Sequence, residues 1–192
     1  MPAALPEAQA DALRELTNVA AGHAARALST LLGGEKFGLW PPLVRLLDRA
    51  QLTALLGGRG TQLTSVGTEL RGDVAGGLSL VFTEPHVQAL TGRLLGAAGQ
   101  RFQTPEVALR DAANIVFAAS LEAAAQLTGV RSLPTVPLVG EGPAEMIARM
   151  CLPREAGWVM EAEIYASPLS GRFLLLPDDS GLSSFLRGLK ML

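Results

Sequence analysis

The 192-residue chain has one cysteine, two histidines, no excess of positive charge and no long apolar run. Each shortage excludes something. A lone cysteine, Cys151, cannot build an internal disulfide framework and fits a reducing compartment. His23 and His86 have no acid or cysteine at ligand spacing, so a metal site within the chain is not expected. A formal net charge of -2, with basic residues scattered among acidic ones, argues against nucleic acid as a partner. The longest apolar stretches, Leu78–Phe82 and Phe173–Leu176, are strand-length and far below the ~20 residues that cross a bilayer. Met1 to Leu13 carries acidic residues and lacks the basic start and apolar core of a signal peptide. The expectation is a soluble, cytoplasmic protein with no membrane partner, and 48% hydrophobic residues can supply a substantial core.

What the chain does have is a copy of itself. Leu13-Arg14-Glu15-Leu16-Thr17-Asn18-Val19 aligns with Leu109-Arg110-Asp111-Ala112-Ala113-Asn114-Ile115 at an offset of 96, half the chain. The same offset carries Ala27, Leu31, Gly33 and Pro41 onto Ala123, Leu127, Gly129 and Pro137. One matching tetrapeptide is common by chance, but a register kept over almost thirty positions (Leu13 to Pro41) is not.

Each copy reads as the same run of elements. Apolar residues at Leu13, Leu16, Ala20, Ala24, Ala27, Leu28 and Leu31 predict an amphipathic helix over Asp11–Leu32, stopped by Gly33-Gly34. Pro105–Thr128 repeats it, with Thr104 as N-cap, Pro105 in the first turn and Gly129 as the stop. A strand over Leu43–Leu47, a short helix over Asp48–Leu56, strands over Gln62–Leu70 and Ala75–Thr83, and a helix over Pro85–Leu95 follow in the first copy. The second continues with Ser132–Val139, a segment around Ala144–Met150, strands Trp158–Ala166 and Arg172–Leu176 about a Pro168–Gly171 turn, and a helix from Asp179 towards Lys190. Two repeats, about 7–96 and 103–192 with a hinge near Gly96–Thr104, are expected to pool their strands. The fold class is α+β: one pseudo-two-fold domain, with two long helices on a mostly antiparallel sheet.

Opposite the apolar stripe of the first helix lie Glu15, Asn18, Gly22, Arg26 and Ser29, and the second helix offers Val107, Asp111, Asn114, Ala118 and Glu122 there. Glu15–Asn18 and Asp111–Asn114 are i, i+3 pairs on one face. Asparagine disfavours helix interiors, yet it recurs at the same place, and a Gly one turn on costs about 1 kcal/mol while leaving room for another backbone. Taken alone, a Glu-x-x-Asn pair is more often a solvated face, and duplication could preserve both pairs without a use.

The first helix, Leu13 to Ser29 with its Glu-x-x-Asn, Gly and Ala-x-x-Leu-Ser, resembles that of the CheC/CheX/FliY family of chemotaxis phosphatases. Leu70-Arg71-Gly72-Asp73-Val74-Ala75-Gly76, Asn114-Ile115, Leu127-Thr128-Gly129 and Leu174-Leu175-Leu176-Pro177 extend the resemblance along nearly the whole chain. Two acid-x-x-Asn helices look like the CheC type. CheX is shorter with one such site, and FliY carries an added flagellar-switch domain. The resemblance implies hydrolysis of the aspartyl phosphate on a CheY-like response regulator. The receiver holds its own Mg²⁺ and lysine, and the chain itself binds no cofactor. Asn18 and Asn114 would orient the attacking water, and Glu15 and Asp111 would pair with the receiver's lysine. The alternative implied is a non-catalytic adaptor that binds the phosphorylated regulator or a CheD-like deamidase.

Two departures qualify this. Asp111 stands where the family usually has Glu, while Phe117 and Ala119 replace a glycine-rich stretch, which favours Glu15–Asn18 as the better-preserved site. Pro137-Leu138-Val139-Gly140-Glu141-Gly142 lacks the Asp-Met of CheD-binding members, which counts against CheD as partner. Among other candidates, Cys151 reads as core and Gly57-Gly58-Arg59-Gly60 as a turn. Trp40 and Trp158 read as core or edge packing, and Asp178-Asp179 as a helix cap.

Overall fold

The computed structural model describes residues 5–97 and 104–192. The elements run α1 (Glu7–Leu31), β1 (Gly38–Leu39), β2 (Leu43–Asp48), α2 (Arg49–Leu55), β3 (Gln62–Gly72), β4 (Gly76–Thr83) and α3 (Glu84–Ala97). The order then repeats: α4 (Pro105–Thr128), β5 (Ser132–Pro134), β6 (Leu138–Pro143), α5 (Ala144–Cys151), β7 (Ala156–Ala166), β8 (Leu169–Pro177) and α6 (Asp179–Gly188). The α+β class and the internal duplication are as expected; most of the hinge, 98–103, lies outside the described residues.

The eight strands form one antiparallel sheet in the order β1-β7-β8-β4-β3-β5, with β2 also pairing β7 and β6 also pairing β3. The repeat is therefore intertwined. Each copy's first two strands join the other copy's long strand, while β4 and β8 meet at the centre. The central register obeys the repeat: the 96-residue shift turns the pair Val81↔Arg172 into Gly76↔Pro177, which is also a pair. The pseudo-two-fold axis passes between Leu78↔Leu175 and Ser79↔Leu174.

The sheet packs on both faces. Val66, Leu78, Leu80, Met160, Phe173 and Leu175 meet the long helices, and Leu63, Val81, Val159 and Leu174 meet α2 and α5. Buried alanines line α1 (Ala20, Ala21, Ala24, Ala25) and α4 (Ala108, Ala112, Ala113, Ala124), letting these two helices pack closely against each other. Their outer sides remain free.

Local signals place α4 well. The Thr104 hydroxyl accepts from the Val107 N–H at 3.3 Å, Pro105 sits in the first turn, and Gly129 closes the helix in the left-handed region at φ 73°. Helix α1 starts four residues earlier than Asp11, at Glu7 behind Pro6, because Glu-Ala-Gln-Ala suits a helix and Pro6 can stand just outside it.

Three strand expectations need correction. Ser132–Val139 is two strands, since Pro134 and Pro137 offer no N–H to a continuous ladder. Strand β1 was not foreseen at all; two residues carry no periodicity. The Pro168–Gly171 turn shrinks to Ser167-Pro168, because Ala166 already pairs with Leu169. Gly171 serves packing there: a Cβ would lie 2.2 Å from Phe82 Cε1.

Candidate functional site

The predicted residues fall where the sequence put them. Glu15 and Asn18 are exposed on the outer face of α1, and Asp111 and Asn114 are exposed at the matching places on α4. Between them, Leu16, Thr17, Ala112 and Ala113 are buried, so each pair rides one turn of a helix anchored from below. The Thr17 hydroxyl donates to the Leu13 carbonyl at 2.7 Å, which satisfies it inside the core beneath the pair.

Neighbouring charges leave the pairs free. Arg14 is engaged with Asp11, and Arg110 with Glu106, in both cases an acid one turn back. Among the described residues Glu15 and Asp111 form no ion pair, and neither asparagine side chain has a hydrogen-bond partner. An acid and an amide held on a rigid helix, exposed and unpaired, can meet a cation and a water or donor brought by another molecule. Among the described residues, no three His, Cys, Asp or Glu side chains are grouped to hold a metal ion.

The surroundings of the two pairs differ. A cleft of about 380 Å³ opens beside Glu15 and Asn18, walled by Leu39 of β1 and by Trp40, Pro41 and Pro42 from the loop after it. Gly22 is half-covered by the chain itself, since a Cβ there would sit 3.8 Å from Leu39 Cδ1. The room expected at Gly22 is thus partly taken by β1, whereas Ala118 on α4 is exposed. Trp40, expected as packing, is 58% exposed and stands at the mouth of the cleft. An unusual mid-chain Trp-Pro-Pro after a helix stop was the available signal for it.

Other candidates resolve as structure. Burial pushes the Cys151 thiol up to about 11, with the Ser79 and Ser65 hydroxyls only partly opposing this, so it is a poor nucleophile. Asp178 caps α6 by accepting from the Gly181 N–H at 2.7 Å. Gly57, Gly58 and Gly60 turn with positive φ, and the Gly60 N–H donates to Glu145. That bond holds the Glu145 carboxyl below its ordinary value. Trp158 is buried. Sequence reasoning missed a half-buried ion pair, Glu161–Arg172 at 2.5 Å, in which Glu161 is buried and Arg172 is 32% exposed, on the same sheet face as Val159 and Leu174.

An intertwined, duplicated α+β fold with an acid–amide pair on each outer helix is similar to proteins of the CheC type. The comparisons agree, and the resemblance to the CheC/CheX/FliY family is borne out. The CheC-like family model matches residues 9–42, the segment that carries Glu15 and Asn18. The CheY-P phosphatase CheC of Bacillus subtilis is 29% identical over 91% of this chain and 90% of its own length. Among solved structures, Thermotoga maritima FliY superposes with a TM-score of 0.74 at 18% identity, covering 99% of this chain and 100% of that one. The FliM middle domain of Vibrio alginolyticus gives 0.63 at 19% identity over 92% and 99%. A CheX from Desulfovibrio desulfuricans gives 0.58 at 15% over 84% and 99%. These three show a shared fold. Among the described residues, no helix is long and apolar enough to cross a membrane.

Proposed function

We propose that this protein hydrolyses the aspartyl phosphate of a CheY-like response regulator. The observation that carries the reading is the pair of exposed, unpaired acid–amide turns at equivalent places on α1 and α4, in a chain 29% identical to a CheY-P phosphatase. Docked against a receiver, Glu15 or Asp111 pairs with the receiver's lysine, and Asn18 or Asn114 holds a water in line with phosphorus. The chemistry supplied by Mg²⁺, neutralisation of developing charge, would come from the receiver and not from residues of this chain. The chain's contribution is position: a rigid amide in place of a freely tumbling solvent molecule. No covalent intermediate on this chain is needed, in keeping with an unreactive Cys151.

A second reading has an observation in its favour. FliM proteins share this fold, and two of them are seen in complexes with SpeE and with FliG, so a role in binding alone is compatible with it. The two readings separate in one experiment. Decay of a phosphorylated CheY-like receiver is followed with no addition, with the wild-type chain, and with Asn18→Ala, Asn114→Ala and the double variant. Catalysis predicts acceleration that falls with each change and disappears in the double variant. Stable phosphate-dependent binding with unchanged decay would instead establish the adaptor, and CheD binding can be assayed alongside.

A further inference from the structure

Trp40 is a large aromatic side chain left 58% exposed, and the chain spends several contacts to hold it there. Its backbone N–H donates to the Glu163 carbonyl at 3.0 Å, tying the residue after β1 to β7. Its ring leans on Tyr165, with centroids 5.7 Å apart and planes inclined by 39°. Tyr165 in turn lies over Gly38, where a Cβ would come within 2.5 Å of the ring. Pro41 and Pro42 stiffen the chain immediately after it. The ring is thus fixed before any partner arrives, and it walls the same cleft as Glu15 and Asn18. A pre-positioned Trp with little rotamer freedom left to lose is the kind of side chain that anchors protein interfaces.

The second copy lacks the device. The 96-residue shift carries Trp40 onto Val136, 70% exposed before Pro137. The strand β3 that pairs β5 offers Glu69, Leu70 and Arg71 in the region matching Tyr165, with no aromatic ring.

We infer that Trp40 is a docking residue for the receiver domain, giving the Glu15–Asn18 site an affinity and partner preference that Asp111–Asn114 lacks. The inference rests on the receiver being the partner, as proposed above. Its occupant is the face of the receiver around the phosphorylated aspartate, because Trp40 lines one cleft with Glu15 and Asn18, so a face seated on that pair in the cleft also meets the ring.

The test uses the full chain with the second site disabled by Asp111→Lys and Asn114→Ala. In that background Trp40→Ala, Trp40→Phe, Tyr165→Ala, Val136→Ala and Asn18→Ala are compared. Binding is read from the anisotropy of dye-labelled CheY-like receivers of the source organism, loaded with beryllium trifluoride, and turnover from phosphoreceiver decay. Trp40→Ala is expected to weaken binding and raise KM by about tenfold with kcat within about twofold. Trp40→Phe recovers part of this, Tyr165→Ala lies between, and Val136→Ala changes nothing. Asn18→Ala lowers kcat and spares KM. Unchanged binding and KM in Trp40→Ala overturns the inference, as does a background protein that binds no receiver. Trp40-dependent binding without accelerated decay sustains the inference and removes the phosphatase reading. Circular dichroism of each variant checks folding.

Discussion

The shortened acid of the second site allows a direct measurement of how finely docking geometry sets the rate. Asp111→Glu, made in an Asn18→Ala background so that only the second site can turn over, adds one methylene and roughly 1 Å of reach. The structure gives the new group space. Asp111 is exposed, Arg110 is already engaged with Glu106, and Ala118 two turns on is exposed as well. Folding stability should therefore move by less than about 0.5 kcal/mol, the usual range for a surface change. If the acid fixes the distance between the helix and the receiver's lysine, a misplacement of this size costs up to about 10²-fold in rate, or ~2.7 kcal/mol of transition-state stabilisation. Restoring the reach should raise kcat/KM at the second site between ~10-fold and ~100-fold. The assay is phosphoreceiver decay at sub-saturating receiver, with urea unfolding of each variant in parallel. The reverse change, Glu15→Asp in an Asn114→Ala background, should lose a comparable factor. If both variants fold normally and neither rate moves by more than about twofold, acid length is not what positions the amide, and the role given to Glu15 and Asp111 is wrong.

Gly22→Ala should stabilise α1 by up to about 1 kcal/mol, because the new methyl meets Leu39 at an ordinary 3.8 Å. Lower activity despite higher melting temperature would show that the receiver uses the remaining space there. Burial holds the Glu161 carboxyl above its ordinary 4.5, with Arg172 opposing the rise. A raised folded value means that the group's stabilising contribution is present below the unfolded value and lost as pH climbs through the folded one. Arg172→Met should deepen that loss, costing on the order of 1–2 kcal/mol at pH 7 and less near pH 4, because Arg172 is partly exposed, and Glu161→Gln should remove the pH dependence. Equal deficits at both pH values in urea titrations would refute this. With its thiol raised from 9.0 to about 11, Cys151 should react with iodoacetamide roughly 100-fold more slowly at pH 8 in the native protein than after unfolding. Equal rates would mean that the thiol is not buried.

Much of this was legible because it is local. Thr104, Pro105 and Gly129 mark α4 through capping chemistry that acts within one turn, and the Glu15–Asn18 and Asp111–Asn114 faces follow from helical period alone. The duplicated register carried the domain plan. What stayed hidden is non-local. Nothing near Leu43 says that β2 will pair with β7 rather than within its own copy, because pairing partners a hundred residues apart leave no mark in a short window. Glu161 and Arg172 lie eleven residues apart on two strands, and only the register of β7 with β8 sets them together. Trp40 looked like a packing residue because its exposure depends on Gly38 giving space to Tyr165, a relation between β1 and β7 that only the folded sheet contains.

The exchange of strands between the copies has a consequence for how the protein fails as well as how it works. Either half by itself would expose a long bare ladder along β3 or β7, which it could cover only by recruiting a second molecule. The two halves are thus laced together like fingers of clasped hands, and neither can loosen while the other stays shut. A lesion deep in one copy should abolish both acid–amide faces in a single cooperative melt. A nick in the connecting segment should leave two fragments that stay associated until that melt.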